Sequence, residues 1–343
     1  MTKKKIYVIL LGALLFLGLW HHQLIIYGLE QASGQWEVIR QAKPIEVFLN
    51  DPNFPDSLKN KLYLIQEVRD YAIDSLGIND SKNYTTLFDQ KNREILWVIT
   101  ACQPFELKDK KWTFPLLGSF SYKGFFNYQR ALNEKKELEH AGFDTGIRSV
   151  SAWSTLGWLS DPIMSNMLYR SEGELANLII HELTHATLYV KDSVEFNENL
   201  ASFIGDHGAR RFLAFGFGPE SKEYNNYVMA KEDREAFSKH FLRATNKLDS
   251  LYGTFTLDSD LEWKKSKKLE MIKSIMVHLD TVKFHFPGNY GKVFDERLPN
   301  NTYFMSFLRY RGYLEELEQQ LKTNFGGDLD RFLSHLKEKY PSL

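Results

Sequence analysis

The 343-residue sequence lacks what a disulfide-stapled fold or a nucleic-acid binder would need. Its one cysteine, Cys102, excludes any disulfide within the chain. The apolar neighbours Leu96, Trp97, Val98 and Ile99 make Cys102 read as part of a buried strand; a nucleophilic thiol is the competing reading. Neither sign of charge is in excess, since 43 Lys and Arg against 44 Asp and Glu leave a formal net charge of −1. That balance carries no electrostatic footprint for nucleic acid, so none is expected as a partner. The basic run 264–268 reads instead as a solvated helix face. No internal repeat or low-complexity linker interrupts the chain, which favours one continuous unit.

Long apolar runs are confined to the amino terminus. Lys3, Lys4 and Lys5 precede a run of fifteen apolar residues at 6–20; His21, His22 and Gln23 interrupt it, and it resumes over 24–29. A bilayer span takes about 20 residues, so 6–20 alone suits a signal-peptide core, whereas 6–29 together just crosses. No small-x-small cleavage site follows, and an uncleaved anchor over 1–30 is the favoured expectation. The lysines then keep the short tail cytoplasmic and turn residues 31–343 outward.

The chemistry is carried by His181, Glu182, Leu183, Thr184 and His185. On a helix, residues four apart share a face, with Cβ atoms about 5–6 Å apart, so both imidazoles reach one Zn²⁺ at about 2.0–2.1 Å. Glu182 then stands beside the open coordination position, as in the HExxH hydrolases. The surroundings predict a helix: Ser171 and Glu174 form a capping box, and Leu175, Leu178, Ile179, Leu183 and Ala186 keep a helical apolar pattern up to Val190. Two satisfied histidines flanking a glutamate on an ordinary helix are the bland alternative.

A catalytic zinc needs a third protein ligand. The longer metzincin pattern is excluded, because Leu188 and Lys191 stand where it requires Gly and His. Asp192 reads as the N-cap of a second helix, with Glu195 as its capping partner. If the two helices turn near Lys191, His185 and Glu198 lie on a level, about 8–9 Å from the turn at 1.5 Å per residue. Ala201, Ser202 and Gly205 share the face of Glu198 and permit close approach. His181, His185 and Glu198 are therefore the expected ligands of one Zn²⁺, a solvated Glu198 being the alternative. Asp206 or His207 is a candidate partner for a ligand imidazole.

The stretch Asn197, Glu198, Asn199, Leu200, Ala201 resembles the NEGxA segment of gluzincin aminopeptidases, although the interval from His185 is shorter here, twelve residues at 186–197. The chain more closely resembles a bacterial family of membrane-associated zinc aminopeptidases, through residues 151–158 with Asp161 and Pro162, the run 181–209, Asn300 with Asn301, and Gly326, Gly327 and Asp328. Two departures stand out: this chain has no lipoprotein cysteine after the apolar run, and it has Trp153 where relatives tend to have Tyr. The resemblance implies a peptide substrate, aminopeptidase specificity and a place in a bacterial cell membrane.

An α+β, zincin-like metalloprotease is the expected fold, a small sheet packed on a mostly helical carboxy-terminal half. A helix is predicted over 55–76, strands over 94–102, 119–126 and 146–154, and helices from 171 onward. The stretches 118–126 and 149–153 are candidate edges for main-chain binding of a peptide. In the expected reaction zinc polarises the scissile carbonyl and acidifies water, while Glu182 moves a proton from water to the leaving amine. Tyr122, Tyr310 and His207 are candidate oxyanion donors. An envelope endopeptidase and a non-catalytic, zinc-stabilised membrane-tethered binding protein stay open as alternatives.

Overall fold

Apolar residues three and four apart build the first long helices of the chain, whose computed structural model describes residues 22–114, 118–150, 160–191, 193–290, 294, 298–308 and 313–340. Most of the expected anchor, residues 1–21, lies outside that set. Among the described residues no helix is long and apolar enough to cross a membrane. Helix α1 (His22–Gln41) runs through positions 30 and 31 without a break. Strand β1 (Lys43–Pro44) and the short α2 (Ile45–Leu49) lead to α3 (Asp56–Leu76). In α3 Leu62, Ile65, Val68, Ala72 and Leu76 form one buried face, and Gly77, left-handed at φ 71°, ends the helix.

The strands are short: β2 (Thr86–Phe88), β3 (Trp97–Cys102), β4 (Trp112–Phe114), β5 (Gly118–Phe120) and β6 (Lys123–Phe125). Helix α4 (Tyr128–His140) follows, capped by Asn127, then β7 (Asp144–Ser149) and β8 (Ile163–Met164). Among the described residues the expected single sheet is three small ones, ordered β1-β2-β8, β6-β3-β7 and β4-β5. Only β3 and β7, among the described residues, sustain a six-residue antiparallel register, from Trp97 opposite Ser149 to Cys102 opposite Asp144. The run expected at 119–126 is broken at Ser121 and Tyr122 into β5 and β6, which pair with different partners.

From Glu172 on, the described secondary structure is almost wholly helical, as expected: α5 (Glu172–Thr187), α6 (Val194–Gly216), α7 (Lys222–Tyr252), α8 (Leu261–Leu279), α9 (Asn301–Leu308), α10 (Leu314–Phe325) and α11 (Leu329–Lys339). Three apolar cores hold these elements. The largest joins α3, α5, α6 and α11 through Ile65, Ile179, Ile204 and Phe332. A second joins α7, α8 and α9 through Phe241, Ile275 and Phe304; a third lies between β3, β6 and α4 and includes Ile99, Phe125 and Leu138. The histidine motif rides on the largest core. The result is an α+β chain with small sheets.

Candidate active site

Helix α5 starts as its sequence dictates, with the Ser171 hydroxyl accepting from the Glu174 amide at 3.4 Å. Leu175, Ile179, Ile180 and Leu183 are fully buried against α3 and α6, which fixes the rotation of the helix. The opposite rows then carry His181 and His185, whose ring centroids lie 4.9 Å apart at 86° to each other. Glu198 comes from α6. Its Oε1 is 3.4 Å from His185 Nε2 and its Oε2 is 3.7 Å from His181 Nε2.

Two features of α6 set that approach. A Cβ on Gly205 would stand 3.0 Å from the Asn177 carbonyl oxygen and 3.2 Å from His181 Cβ, so the missing side chain is what lets α6 come up to the histidine. Asn197, buried at the entry to α6, accepts from the Val190 amide and donates to the Val190 carbonyl, both at 2.8 Å. This two-way clamp fixes the connection one residue before Glu198. The cap differs from expectation: Ser193 holds the N-cap position, and Asp192 lies outside the described residues.

Burial pushes His181 down to about 3, helped by the charge of His185, and pushes His185 down to about 4. Both imidazoles are therefore neutral at pH 7 and offer lone pairs. Burial also raises Glu198 above the usual carboxylate range. Three donor atoms converge within 4.8 Å of one another at spacings beyond a good hydrogen bond, which is 2.7–3.2 Å. Arms of about 2.0–2.1 Å in a tetrahedron would put ligand atoms ~3.3–3.4 Å apart. The observed 3.4 and 3.7 Å sit close to that edge. With two imidazoles and one carboxylate, the set fits a divalent cation such as zinc.

Glu182, between the two histidines in sequence, is 8% exposed. Burial first, then the charges of Glu198 and Asp161, push its carboxyl up to about 8. Tyr84 belongs to the same surroundings and no sequence signal marked it. Its phenol is fully buried, its hydroxyl has no partner among the described residues, and Glu182 and Asp161 both act on it electrostatically. The Tyr84 amide donates to the Asp161 carbonyl at 2.7 Å, and the Asp161 amide donates to Asn83 Oδ1 at 2.9 Å. That double stitch brings residues 83–84 and 161 to the motif, with Tyr84 in the left-handed region at φ 59°.

Other expected members are engaged elsewhere. Asp206 accepts from the Tyr227 hydroxyl at 2.9 Å and pairs with Lys231 and Arg210, while His207 pairs with Glu318 at 2.8 Å. Neither takes the role of partner to a ligand imidazole, and His185 Nδ1 has no partner among the described residues. Tyr122 is half-exposed beside Phe120, in the part of the molecule formed by β3 to β6. Tyr310 and residues 151–153 lie outside the described set. The candidate edge strands β5 and β6 belong to the region packed by Tyr27, Phe114 and Phe125.

A cavity of about 1060 Å³ is lined by Asn177, Leu178, Ser202, Asp206, His207 and Glu318 among others; His181, Glu182, His185 and Glu198 do not line it, but Asn177 and Ser202 stand one helical turn from His181 and Glu198 along their helices. Its lining mixes charges of both signs with apolar wall. The described residues thus form an α+β chain in which two packed helices bring together a His, His, Glu set that could hold a metal ion. The chain belongs to the family described as "Putative aminopeptidase", whose sequence pattern matches residues 26–340. Comparison with curated proteins and with solved structures gives no match.

Proposed function

We propose that the protein is a zinc-dependent aminopeptidase, with His181, His185 and Glu198 as metal ligands and Glu182 as the general base. The observation that carries this reading is the convergence of two imidazoles and a half-buried carboxylate within 4.8 Å, beside the buried Glu182, in a chain of an aminopeptidase family. A zinc ion, when bound there, supplies a Lewis acid that polarises a carbonyl and lowers the pKa of water towards 7.

The remaining work falls to the protein's own groups. Glu182 takes a proton from the attacking water and returns it to the leaving amine nitrogen. A base whose conjugate acid titrates near neutrality does both at pH 7, and burial, with Glu198 and Asp161 nearby, gives Glu182 that character. The two histidines stay neutral because burial disfavours their charged form. The cavity beyond Asn177 and Ser202 holds the peptide and keeps it at the motif. We place the protein at a bacterial cell membrane, tethered by the apolar run at 6–20 ahead of α1, with the site on the outer side.

The test is Glu182→Gln in the full chain. Zinc content measured by atomic absorption stays at one ion per chain, while hydrolysis of a peptide library falls by at least about a hundredfold. Cleavage confined to peptides with a free α-amino group, with acetylated ones spared, supports the aminopeptidase reading. Retained activity in Glu182→Gln sinks the mechanism, and equal cleavage of blocked peptides makes the enzyme an endopeptidase.

A further inference from the structure

Helix α1 has two unlike faces. One is fastened to the body of the protein: the Tyr27 hydroxyl donates to the Gly124 carbonyl at 2.8 Å, Glu30 pairs with Arg130, Gly34 admits the ring of Phe126 where a Cβ would collide, and Val38 is buried. The other face is apolar and uncovered. Ile25, Ile26, Leu29 and Trp36 are 47, 45, 66 and 65% exposed. At 100° per residue these four positions fall within a single stripe about 100° wide, which Arg40 ends.

Soluble surfaces scatter exposed apolar side chains singly; a continuous stripe on a rigid helix marks a contact surface. What covers it is indicated by the chain just ahead. The apolar run at 6–20 ends two residues before α1, so no linker separates a lipid-seeking segment from this stripe. His22 and Ser33 share the stripe and the exposed Glu37 borders it, but within it there is no acidic side chain or lysine, and a tryptophan near an arginine is the pairing favoured at a membrane–water boundary. We propose that α1 lies along the lipid surface, with Ile25, Ile26, Leu29 and Trp36 seated at the boundary between headgroups and acyl chains.

The proposal rests on the membrane tether and adds an orientation to it. Because Tyr27, Glu30, Gly34 and Val38 lock α1 to the sheets and α4, lipid contact along the stripe would hold the whole catalytic body in one pose, without the free swing of a flexible stalk.

The full chain, bound to vesicles of phosphatidylethanolamine and phosphatidylglycerol at about 3:1, carries an environment-sensitive fluorophore at Leu29→Cys, Trp36→Cys or, as a control on α3, Tyr63→Cys. The buried Cys102 thiol, pushed up to about 12, stays unlabelled. At positions 29 and 36 the emission shifts to the blue, iodide quenching is largely lost and nitroxide-bearing lipids quench; position 63 stays open to iodide. Three results overturn the proposal. Iodide reaching 29 and 36 as freely as 63 on vesicle-bound chain leaves the tether intact and removes the surface contact. Shielding from both iodide and lipid nitroxide shows that protein, such as a second copy of the chain, covers the stripe. Failure of the full chain to sediment with vesicles removes the tether and the contact together.

Discussion

Glu182 is held in a contradictory setting, a carboxylate in a dry site beside a second carboxylate, and its surroundings resolve this by keeping a proton on it. With its carboxyl pushed up to about 8, Glu182 is mostly protonated at pH 7 in the metal-free chain, while His181 and His185, at about 3 and 4, are not. A dication at the triad favours the ionised carboxylate, so zinc binding at pH 7 should expel about one proton. The sign follows from burial, which raises a carboxyl and lowers an imidazole. Titration calorimetry in buffers of different ionisation enthalpy measures the release, and in Glu182→Gln it should be smaller. No release at pH 7, or a release unchanged in Glu182→Gln, would mean that Glu182 is already ionised in the metal-free chain.

Helices α5 and α6 form the element that makes the site, and their spacing is set by residues without chemistry of their own. Gly205→Ala tests this. Alanine is better than glycine in a helix by about 1 kcal/mol, but crowding a packed contact costs about 1–3 kcal/mol, so the crowding wins. The new methyl would press on the Asn177 carbonyl and on His181 itself, both part of a rigid helix. A modest loss of stability is expected, together with a fall in zinc affinity of about tenfold, the low end of what disturbed supporting groups cost. Chemical denaturation and competition with a chromophoric chelator measure the two. Unchanged affinity would mean that α6 positions Glu198 without needing that approach.

For the whole molecule, the ion would bridge two helices of the largest core, so the metal and the folded state are linked. Zinc at a hundredfold excess over its dissociation constant should stabilise the fold by about 2.7 kcal/mol, and a chelator should remove that increment along with activity. Scanning calorimetry with and without chelator checks it, with Glu198→Ala expected to show a much smaller difference. The α7, α8 and α9 core shares no ligand with the site, and its packing around Phe241 should be indifferent to the metal.

The sequence by itself determined the helical setting of His181, Glu182 and His185, because the i, i+4 rule is local and the cap at Ser171 and the buried row behind it are written in adjacent residues. Glu198 was legible for a related reason: a short connection leaves few positions on a level with His185. The helix at α3 and the helical run from α5 onward were equally open to reading from apolar spacing. Strand pairing was not, since β-propensity says which residues extend but not which partner they find, and the expected single sheet is three. Tyr84 beside Glu182, the Asn83 and Asp161 stitch, and the pairing of His207 with Glu318 join residues 77 to 111 positions apart, beyond any periodic pattern. The raised pKa of Glu182 was likewise a tertiary outcome, because desolvation sums over every element that closes around the carboxylate.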